Sequence, residues 1–187
     1  DPENTEVQLV SGEYFQVLGV EAVVGRRFAS ADDQSPGAHP VAMLSYSFWQ
    51  RRFGGDISVI GQTIVLKDNP FTVIGVTPRG FFGEAVGRAP DIWAPLMMEP
   101  VLDRGFSYLS DENTGWLRIM ARLEPGVGER QAETALTLSL EQLKTESTNL
   151  GKSARNIAKI EVSQGGQGLP EFRKRFSLPL RILMAVV

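Results

Sequence analysis

Cysteine is absent from this 187-residue chain, and histidine occurs once, at His39. Without cysteine, the chain cannot supply disulfides, thiolate nucleophiles, zinc ribbons or iron–sulfur ligands. One histidine also excludes a metal site with two histidine ligands from this chain. His39 lies between Pro36-Gly37 and Pro40, a composition typical of a surface turn and a poor support for a Ser-His-Asp triad. We therefore name no catalytic, cofactor-binding or metal-ligating residue.

Positive charge is not in excess, because 19 Lys and Arg stand against 22 Asp and Glu, for a net charge of −3. Proteins that bind nucleic acid usually carry a basic stripe, so this balance argues against a nuclease or a repressor. Hydrophobic residues make up 42% and charged residues 22% of the chain, which is typical of folded proteins and not of disordered ones. The length suits one domain or two small subdomains.

Long apolar runs are also missing. The run at 182–187 is far shorter than the about 20 residues that a membrane-spanning helix needs. Residues 1–5 have no initiating methionine, basic segment or apolar segment of a signal peptide. We therefore expect a piece of a longer protein, cut at both ends.

The short charged clusters are interpreted mostly as surface features. The acidic pairs Asp32-Asp33 and Asp111-Glu112 lack the ladder of further acids and amides that a calcium loop needs, so we expect solvated loop charge. Arg26-Arg27 and Arg51-Arg52 are expected to pair with nearby acids. The basic residues 173–175 precede the terminal apolar run, a position typical of lipid headgroup contacts.

Periodicity and turn residues indicate a regular segment at each end of the chain and a hairpin-rich middle between them, which suggests an inserted subdomain. Helices are predicted at 13–18, 46–53 and 128–143, the second capped by Ser45 and carrying Trp49 and Phe53 on one buried face. A hairpin is predicted around the turn 67–70, and a long loop over 97–113. Strands are predicted at 7–10, 41–44, 63–66, 71–76, 91–94, 116–123 and 159–162. The predicted fold class is α+β, and the last helix lies between two strands as in a strand–helix–strand crossover.

Short motifs follow one another along the chain. They read VSGEYFQVLGV at 10–20, GR at 25–26, VAMLS at 41–45, RFG at 52–54, IGQTI at 60–64, VIGV at 73–76, DIWAPL at 91–96, RLEPGV at 122–127 and RFSLPL at 175–180. In this order they closely resemble the periplasmic core of MacB-like, FtsX-like transporter permeases, and they are most similar to those of the large acidobacterial-type permeases. Each motif is weakly specific alone, and the shared order carries the resemblance.

The resemblance implies a discontinuous arrangement. Residues 1–25 and 114–175 would form a porter-like strand–helix–strand subdomain from the two chain ends, and residues 26–113 would be an inserted, β-rich subdomain. Residues 176–187 would be the start of a truncated transmembrane helix. Members of the family usually carry another strand and helix before the first motif, and the present sequence begins almost at that motif. An edge of the porter-like subdomain could therefore lack its neighbour.

The function implied by the resemblance is non-enzymatic. Such a domain transmits motion from ATP hydrolysis in the cytoplasm to the export or handling of a substrate in the periplasm. The implied partners are a cytoplasmic ATP-binding domain reached through the membrane helices, a periplasmic adaptor or a substrate protein or peptide, and a second permease copy. The implied location is the periplasmic side of an inner-membrane protein.

Two alternatives remain open at this point. The first is an extracytoplasmic ligand-binding or sensor domain with a pocket near Trp93, Phe81 and Phe82, where the two phenylalanines are flanked by Gly80 and Gly83. The second is a hydrolase, for which His39 is the sole histidine base. A pocket beside the aromatic residues would favour the first.

Overall fold

A mixed six-stranded sheet organises the chain. The computed structural model describes residues 5–85, 88–103, 107–111, 114–146 and 160–165. The strands are β1 Val7–Val10, β2 Val24–Gly25, β3 Val41–Leu44, β4 Thr63–Leu66, β5 Asn69–Val76 and β6 Ile92–Pro95. All five strand predictions within residues 7–94 are confirmed to within two residues at each end.

The strand order is β1-β6-β3-β5-β2, and β4 also pairs with β5. The β1/β6 and β3/β5 pairs are parallel, whereas the β3/β6, β4/β5 and β2/β5 pairs are antiparallel. β4 pairs with the first half of β5 and β2 with its last two residues, so both lie on the side of β5 away from β3. β1 is consequently an edge strand among the described residues.

The hairpin between β4 and β5 is tighter than its sequence indicates. Lys67 and Asp68 alone form the turn, with φ angles of 46° and 67°. Two central residues with positive φ match the right-handed twist of the flanking strands. Asn69 and Pro70, predicted as turn residues, are the first residues of β5 instead, opposite Leu66 and Val65. The side-chain amide of Asn69 donates to the Lys67 carbonyl at 2.8 Å and so helps to hold the turn.

Helices pack on the sheet or extend from it. They are α1 Tyr14–Leu18, α2 Tyr46–Phe53, α3 Glu99–Leu102 and α4 Glu129–Glu146. The predicted cap of α2 is confirmed, because the Phe48 amide donates to Ser45 Oγ at 3.1 Å and Gly54 ends the helix at φ 61°. α3 contradicts the long loop predicted from 97 onward. The buried Glu99 carboxylate there accepts bonds from Ser107 Oγ and the Tyr108 amide, which order a segment without periodicity.

The core lies on both faces of the sheet. On one face, Ile92, Ala94 and alternate residues of β3 pack against Phe48 and Trp49 of α2. On the other face, Trp93 and Met43 pack with Phe15 of α1. Because neighbouring residues of β3 and β6 point to opposite buried faces, these strands read as continuous apolar runs.

The strands predicted after residue 113 are wrong. Residues 114–123 and 160–165 have no strand partner among the residues described, although 116–123 alternates in polarity. Alternation favours an extended backbone but does not supply a partner for its hydrogen-bonding groups. The helix predicted at 128–143 is confirmed as α4, yet Leu136 and Leu143 are about half exposed. Lys159 and the terminal segment 176–187 lie outside the described residues.

The sheet combines strands from both of the predicted subdomains. β1 and β2, from residues 1–25, are hydrogen-bonded into the same sheet as β3 to β6, from residues 26–113. The division into two subdomains as a whole stays a prediction. No helix in the described part of the chain is long and apolar enough to cross a membrane.

Candidate binding cleft

A cleft of about 670 Å³ opens beside the edge strand β1. One wall is β1 itself with Tyr14 of α1, and the second is the loop that carries Phe82 and Glu84. The third wall is the segment 116–120, which belongs to no helix or strand. The volume falls within the range of about 300–1,000 Å³ usual for small-molecule sites.

Glu84 is the central polar group of this cleft. Its carboxylate accepts a forked hydrogen bond from Gln8 Nε2, at 2.8 Å to Oε1 and 3.0 Å to Oε2. The Tyr14 hydroxyl donates to Oε2 at 2.5 Å. β1 positions Gln8 and α1 positions Tyr14, so the carboxylate is held by two secondary-structure elements. Both donors are neutral, and they leave the negative charge of Glu84 in place.

The Tyr14 hydroxyl stays protonated at neutral pH. Burial, followed by the hydrogen bond to Glu84 and the charge of that carboxylate, raises the pKa of Tyr14 well above its ordinary value. Hydrogen bonding from the Glu84 backbone amide and then from the Trp93 indole lowers this pKa, but by less than the other effects raise it. Tyr14 is therefore a constant donor to Glu84 and holds it in one orientation.

Charged residues form an ion pair at the rim of the cleft, and the walls combine apolar with polar side chains. Arg88 Nε lies 3.3 Å from Glu6 Oε1 in a largely exposed ion pair. Phe82 is 48% exposed, and Leu117 and Ile119 on the opposite wall are 54% and 91% exposed. Such a mixed lining suits binding, whereas catalysis would also need a paired nucleophile and base.

The aromatic residues predicted near a pocket are separated by the structure. Phe82 lines the cleft, but Trp93 is fully buried in the core. Phe81 packs against that core, with its ring centroid 5.5 Å from that of Trp93. A pocket therefore exists beside one of the three predicted aromatics, and the other two belong to the core or pack against it.

Asp32 and Asp33 are structural acids, and the prediction of solvated loop charge for them is wrong. Asp32 is 8% exposed and pairs with Arg26, whereas Asp33 accepts hydrogen bonds from the Gly12 and Met97 amides. Backbone amides that are distant in sequence reach Asp33 only once the chain is folded. Asp111 accepts from the Thr114 hydroxyl, and Glu112 lies outside the described residues.

The expected pairing of the arginine clusters with nearby acids is confirmed for three of the four arginines. Arg26 pairs with Asp32, Arg27 with Glu21, and Arg51 with Asp91. The basic residues 173–175 lie outside the described residues.

His39 is exposed in a loop, as its surroundings predict. The described residues contain no group of three or more His, Asp or Glu side chains arranged to hold a metal ion.

The sequence alone does not indicate the Gln8–Tyr14–Glu84 cluster. Glu84 lies 76 residues from Gln8 and 70 from Tyr14. Tyr14 belongs to the first family-like motif, and Glu84 directly follows Gly83 after the two phenylalanines. Neither feature signals that the three side chains meet, because their contact depends on the pairing of β1 with β6.

The family model for the MacB-like periplasmic core domain matches residues 1–138. The chain belongs to this family. The match spans the sheet and the first half of α4, so it covers the cleft and its three walls.

Curated proteins that are similar to this chain are named as export proteins. The macrolide export ATP-binding/permease protein MacB of Salmonella typhi is 29% identical over 133 residues, which are 68% of this chain and 18% of that protein. The probable syringafactin export ATP-binding/permease protein SyfD of Pseudomonas syringae pv. tomato is 33% identical over 86 residues, 46% of this chain and 13% of that protein. The chain thus spans less than a fifth of the length of these relatives.

A solved structure shows the same fold. The periplasmic region of MacB from Actinobacillus actinomycetemcomitans superposes with a TM-score of 0.53 at 23% sequence identity, covering 75% of this chain and 57% of that one. The α+β fold class predicted for this MacB-like domain is confirmed by the mixed sheet and by this similarity.

Proposed function

We propose that the chain is the periplasmic domain of an inner-membrane ABC transporter permease, and that it transmits motion from cytoplasmic ATP hydrolysis to substrate export or handling. The family match over residues 1–138 carries the proposal. Relatives named as ATP-binding/permease proteins support it, because they place such a domain in one polypeptide with an ATP-binding part.

The architecture suits a transmitting element more than an enzyme. The sheet is buried on both faces, so a displacement at one edge moves the sheet as a body. Ala132 is the only buried residue of α4 among those described, so little packing opposes a movement of this helix. The proposed partners are the ATP-binding domain, a periplasmic adaptor or substrate protein or peptide, and a second permease copy.

The proposed location is tested with a single cysteine in the full-length protein, after any native cysteines outside this region are replaced. Ser139 on α4 is the chosen position, since it is exposed and its hydroxyl bonds only to the Ala135 carbonyl of its own helix. We expect Ser139→Cys to react with a membrane-impermeant maleimide in cells with a permeabilised outer membrane. The buried Ala42→Cys variant is the matched control for accessibility and should not react. Labelling of Ser139→Cys only after lysis of the inner membrane would contradict the proposal.

The proposed coupling is tested with the same variant. An environment-sensitive fluorophore on Ser139→Cys should change its emission when ATP and magnesium are added to the purified full-length protein. A fluorophore on Ser58→Cys, in the turn between α2 and β4, reports on the sheet body and serves as the comparison site. Unchanged emission at both positions, in a preparation that hydrolyses ATP, would contradict transmission of motion to this domain.

A further inference from the structure

The edge strand β1 is hydrogen-bonded to a neighbouring strand on one side only among the described residues. The Ile92 amide donates to the Glu6 carbonyl at 3.1 Å, so Glu6 turns its backbone groups toward β6. The backbone groups of successive strand residues point alternately to the two sides of the strand. Val7 and Leu9 therefore turn their N–H and C=O groups away from β6, where the described part of the chain supplies no backbone partner. These two residues offer two donors and two acceptors along the edge.

This edge opens into the cleft. All residues of β1 line the cleft, and the segment 116–120 stands across from them. Phe82, Leu117 and Ile119 expose apolar surface on the other walls, where the side chains of an added strand would lie. Because a wall stands opposite β1, a single extended segment has readier access to the edge than a strand of a second folded copy.

The formal charges of the described residues that line the cleft cancel. Glu6 and Glu84 are the two acids of the lining, and Arg88 and Arg118 are its two basic residues. An occupant therefore needs no net charge, and a polypeptide backbone has none. Unpaired backbone groups on a strand edge are a template for another strand. The cleft thus favours an extended polypeptide over a charged small molecule.

We infer that the edge of β1 in this cleft binds an extended segment of a polypeptide substrate, which adds to the sheet as a further strand through Val7 and Leu9. Main-chain pairing supplies the affinity, and alternate side chains of the segment contact Phe82 and the wall at 116–120. An edge of four residues makes few contacts, which suits a segment that is bound and released in turn. A permanent partner usually covers about 800 Å² of surface. The assignment to a substrate rests on the proposed function.

Peptide binding is tested with two fluorescent eight-residue probes of alternating valine and threonine. In the first probe every second amide is methylated, which leaves one hydrogen-bonding edge and hinders stacking of the probe into sheets. In the second probe every amide is methylated, so no backbone N–H remains. We expect the first probe to bind the 187-residue chain at least about tenfold more tightly than the second, because the second cannot donate to β1. Fluorescence anisotropy measures both affinities.

Amide hydrogen exchange, followed by two-dimensional NMR on the isotopically labelled chain, locates the bound probe. The first probe should slow the exchange of the Val7 and Leu9 amides about tenfold or more. The Gln8 amide lies between them and faces β6, so it is the internal control and should change less. Unchanged exchange at Val7 and Leu9 with the probe bound would overturn the inference.

Matched variants at Leu9 test the role of the outward amide. Leu9→Pro removes this N–H, and proline is tolerated on a strand edge where no ladder bond is lost. Leu9→Ala keeps the N–H and controls for the loss of side-chain packing against the core. We expect the first probe to bind Leu9→Pro about fivefold more weakly than Leu9→Ala. Equal affinities for the two folded variants would contradict the inference, and if Leu9→Pro does not fold, the two probes on the unaltered chain still decide.

The full-length protein distinguishes the substrate from other occupants of the edge. The first probe should bind it, and its affinity should change when ATP and magnesium are added, because a substrate is released during transport. Failure to bind would show that the protein's own polypeptide covers β1, and an affinity independent of ATP would indicate a fixed partner. Dimerisation of the chain that Leu9→Pro abolishes would indicate a second copy. Each of these three results would overturn the inference, whereas the labelling and fluorescence tests of the proposed function do not involve β1 and are decided separately.

Discussion

Arg26 and Asp32 form a two-pronged ion pair, with Nη1–Oδ2 at 2.6 Å and Nη2–Oδ1 at 2.8 Å. Asp32 also accepts a bond from the Ala29 amide at 2.9 Å and is nearly buried, whereas the Arg26 side chain is about half exposed. Arg26 follows β2 directly, and Asp32 lies in the short 3-10 helix Ser30–Asp33. The pair therefore ties the short strand β2 to the loop that leads to β3.

The first prediction concerns acid stability. The hydrogen bonds from Arg26 hold the pKa of Asp32 below its ordinary value. A lowered folded-state pKa contributes stability above the unfolded pKa, near 4, and this contribution is lost as the pH falls through the folded value. We expect Asp32→Asn to lower the free energy of unfolding at pH 7 by about 1–2 kcal/mol, with a smaller difference at pH 3.

Urea unfolding at pH 7 and pH 3 measures this difference. Glu21→Gln, at a mostly exposed acid, is the comparison variant and should change stability little at either pH. A loss for Asp32→Asn that is equally large at pH 3 would show that the carboxylate charge is not its cause.

The second prediction concerns Asp33, whose pKa is shifted in the opposite direction from that of Asp32. Burial raises the pKa of Asp33, although the Met97 and Gly12 amides partly oppose this. A raised folded-state pKa means that its stability contribution is lost as the pH rises from the unfolded value through the folded one. Asp33→Asn should remove this decline in stability. Because asparagine has one side-chain oxygen where aspartate has two, one of the two backbone N–H donors also loses its acceptor, at a cost of about 1–3 kcal/mol. Unfolding measured across pH 3–7 separates the two effects, and an unchanged pH profile in Asp33→Asn would contradict the assignment.

The third prediction concerns the cap of α2. Ser45 is buried and accepts the Phe48 amide at 3.1 Å, so Ser45→Ala should lower the free energy of unfolding by about 1 kcal/mol. Ser45→Thr keeps the acceptor and should recover part of the loss. Ser139→Ala, on the exposed surface of α4, is the control and should be nearly neutral. Equal losses for Ser45→Ala and Ser45→Thr would point to packing and not to the cap.

The fourth prediction concerns Gly75, where β5 bulges against β3. A Cβ at Gly75 would lie 2.2 Å from the Arg26 carbonyl oxygen. This backbone cannot move away easily, because the Arg26 N–H donates a hydrogen bond to the Ile74 carbonyl. Gly75→Ala should therefore destabilise the fold at the upper end of the ~1–3 kcal/mol that overpacking costs. Gly115→Ala, where a Cβ would meet no atom within 4 Å, is the matched control. Similar thermal midpoints for the two variants would contradict this account of the bulge.

Local signals determined much of the fold. Ser45 and Gly54 bound α2, the β-branched runs mark β4 and β5, and the apolar runs at 41–44 and 91–94 mark strands buried on both faces. Each of these signals depends on residues close together in sequence, where propensity and capping act. The family resemblance likewise depends on short motifs in order, and the family match confirms it.

The tertiary structure alone decided which groups meet. The alternation of 116–123 is a local property, but a strand also needs a neighbour, and the described residues provide none. Asp32 and Asp33 read as loop charge because their partners Arg26, Gly12 and Met97 come together only through folding. Glu84 reaches Gln8 and Tyr14 for the same reason, since a contact across more than 70 residues is set by strand order and not by spacing. Sequence thus determined many of the elements and the family, while long-range pairing brought Gln8, Tyr14 and Glu84 together at the cleft.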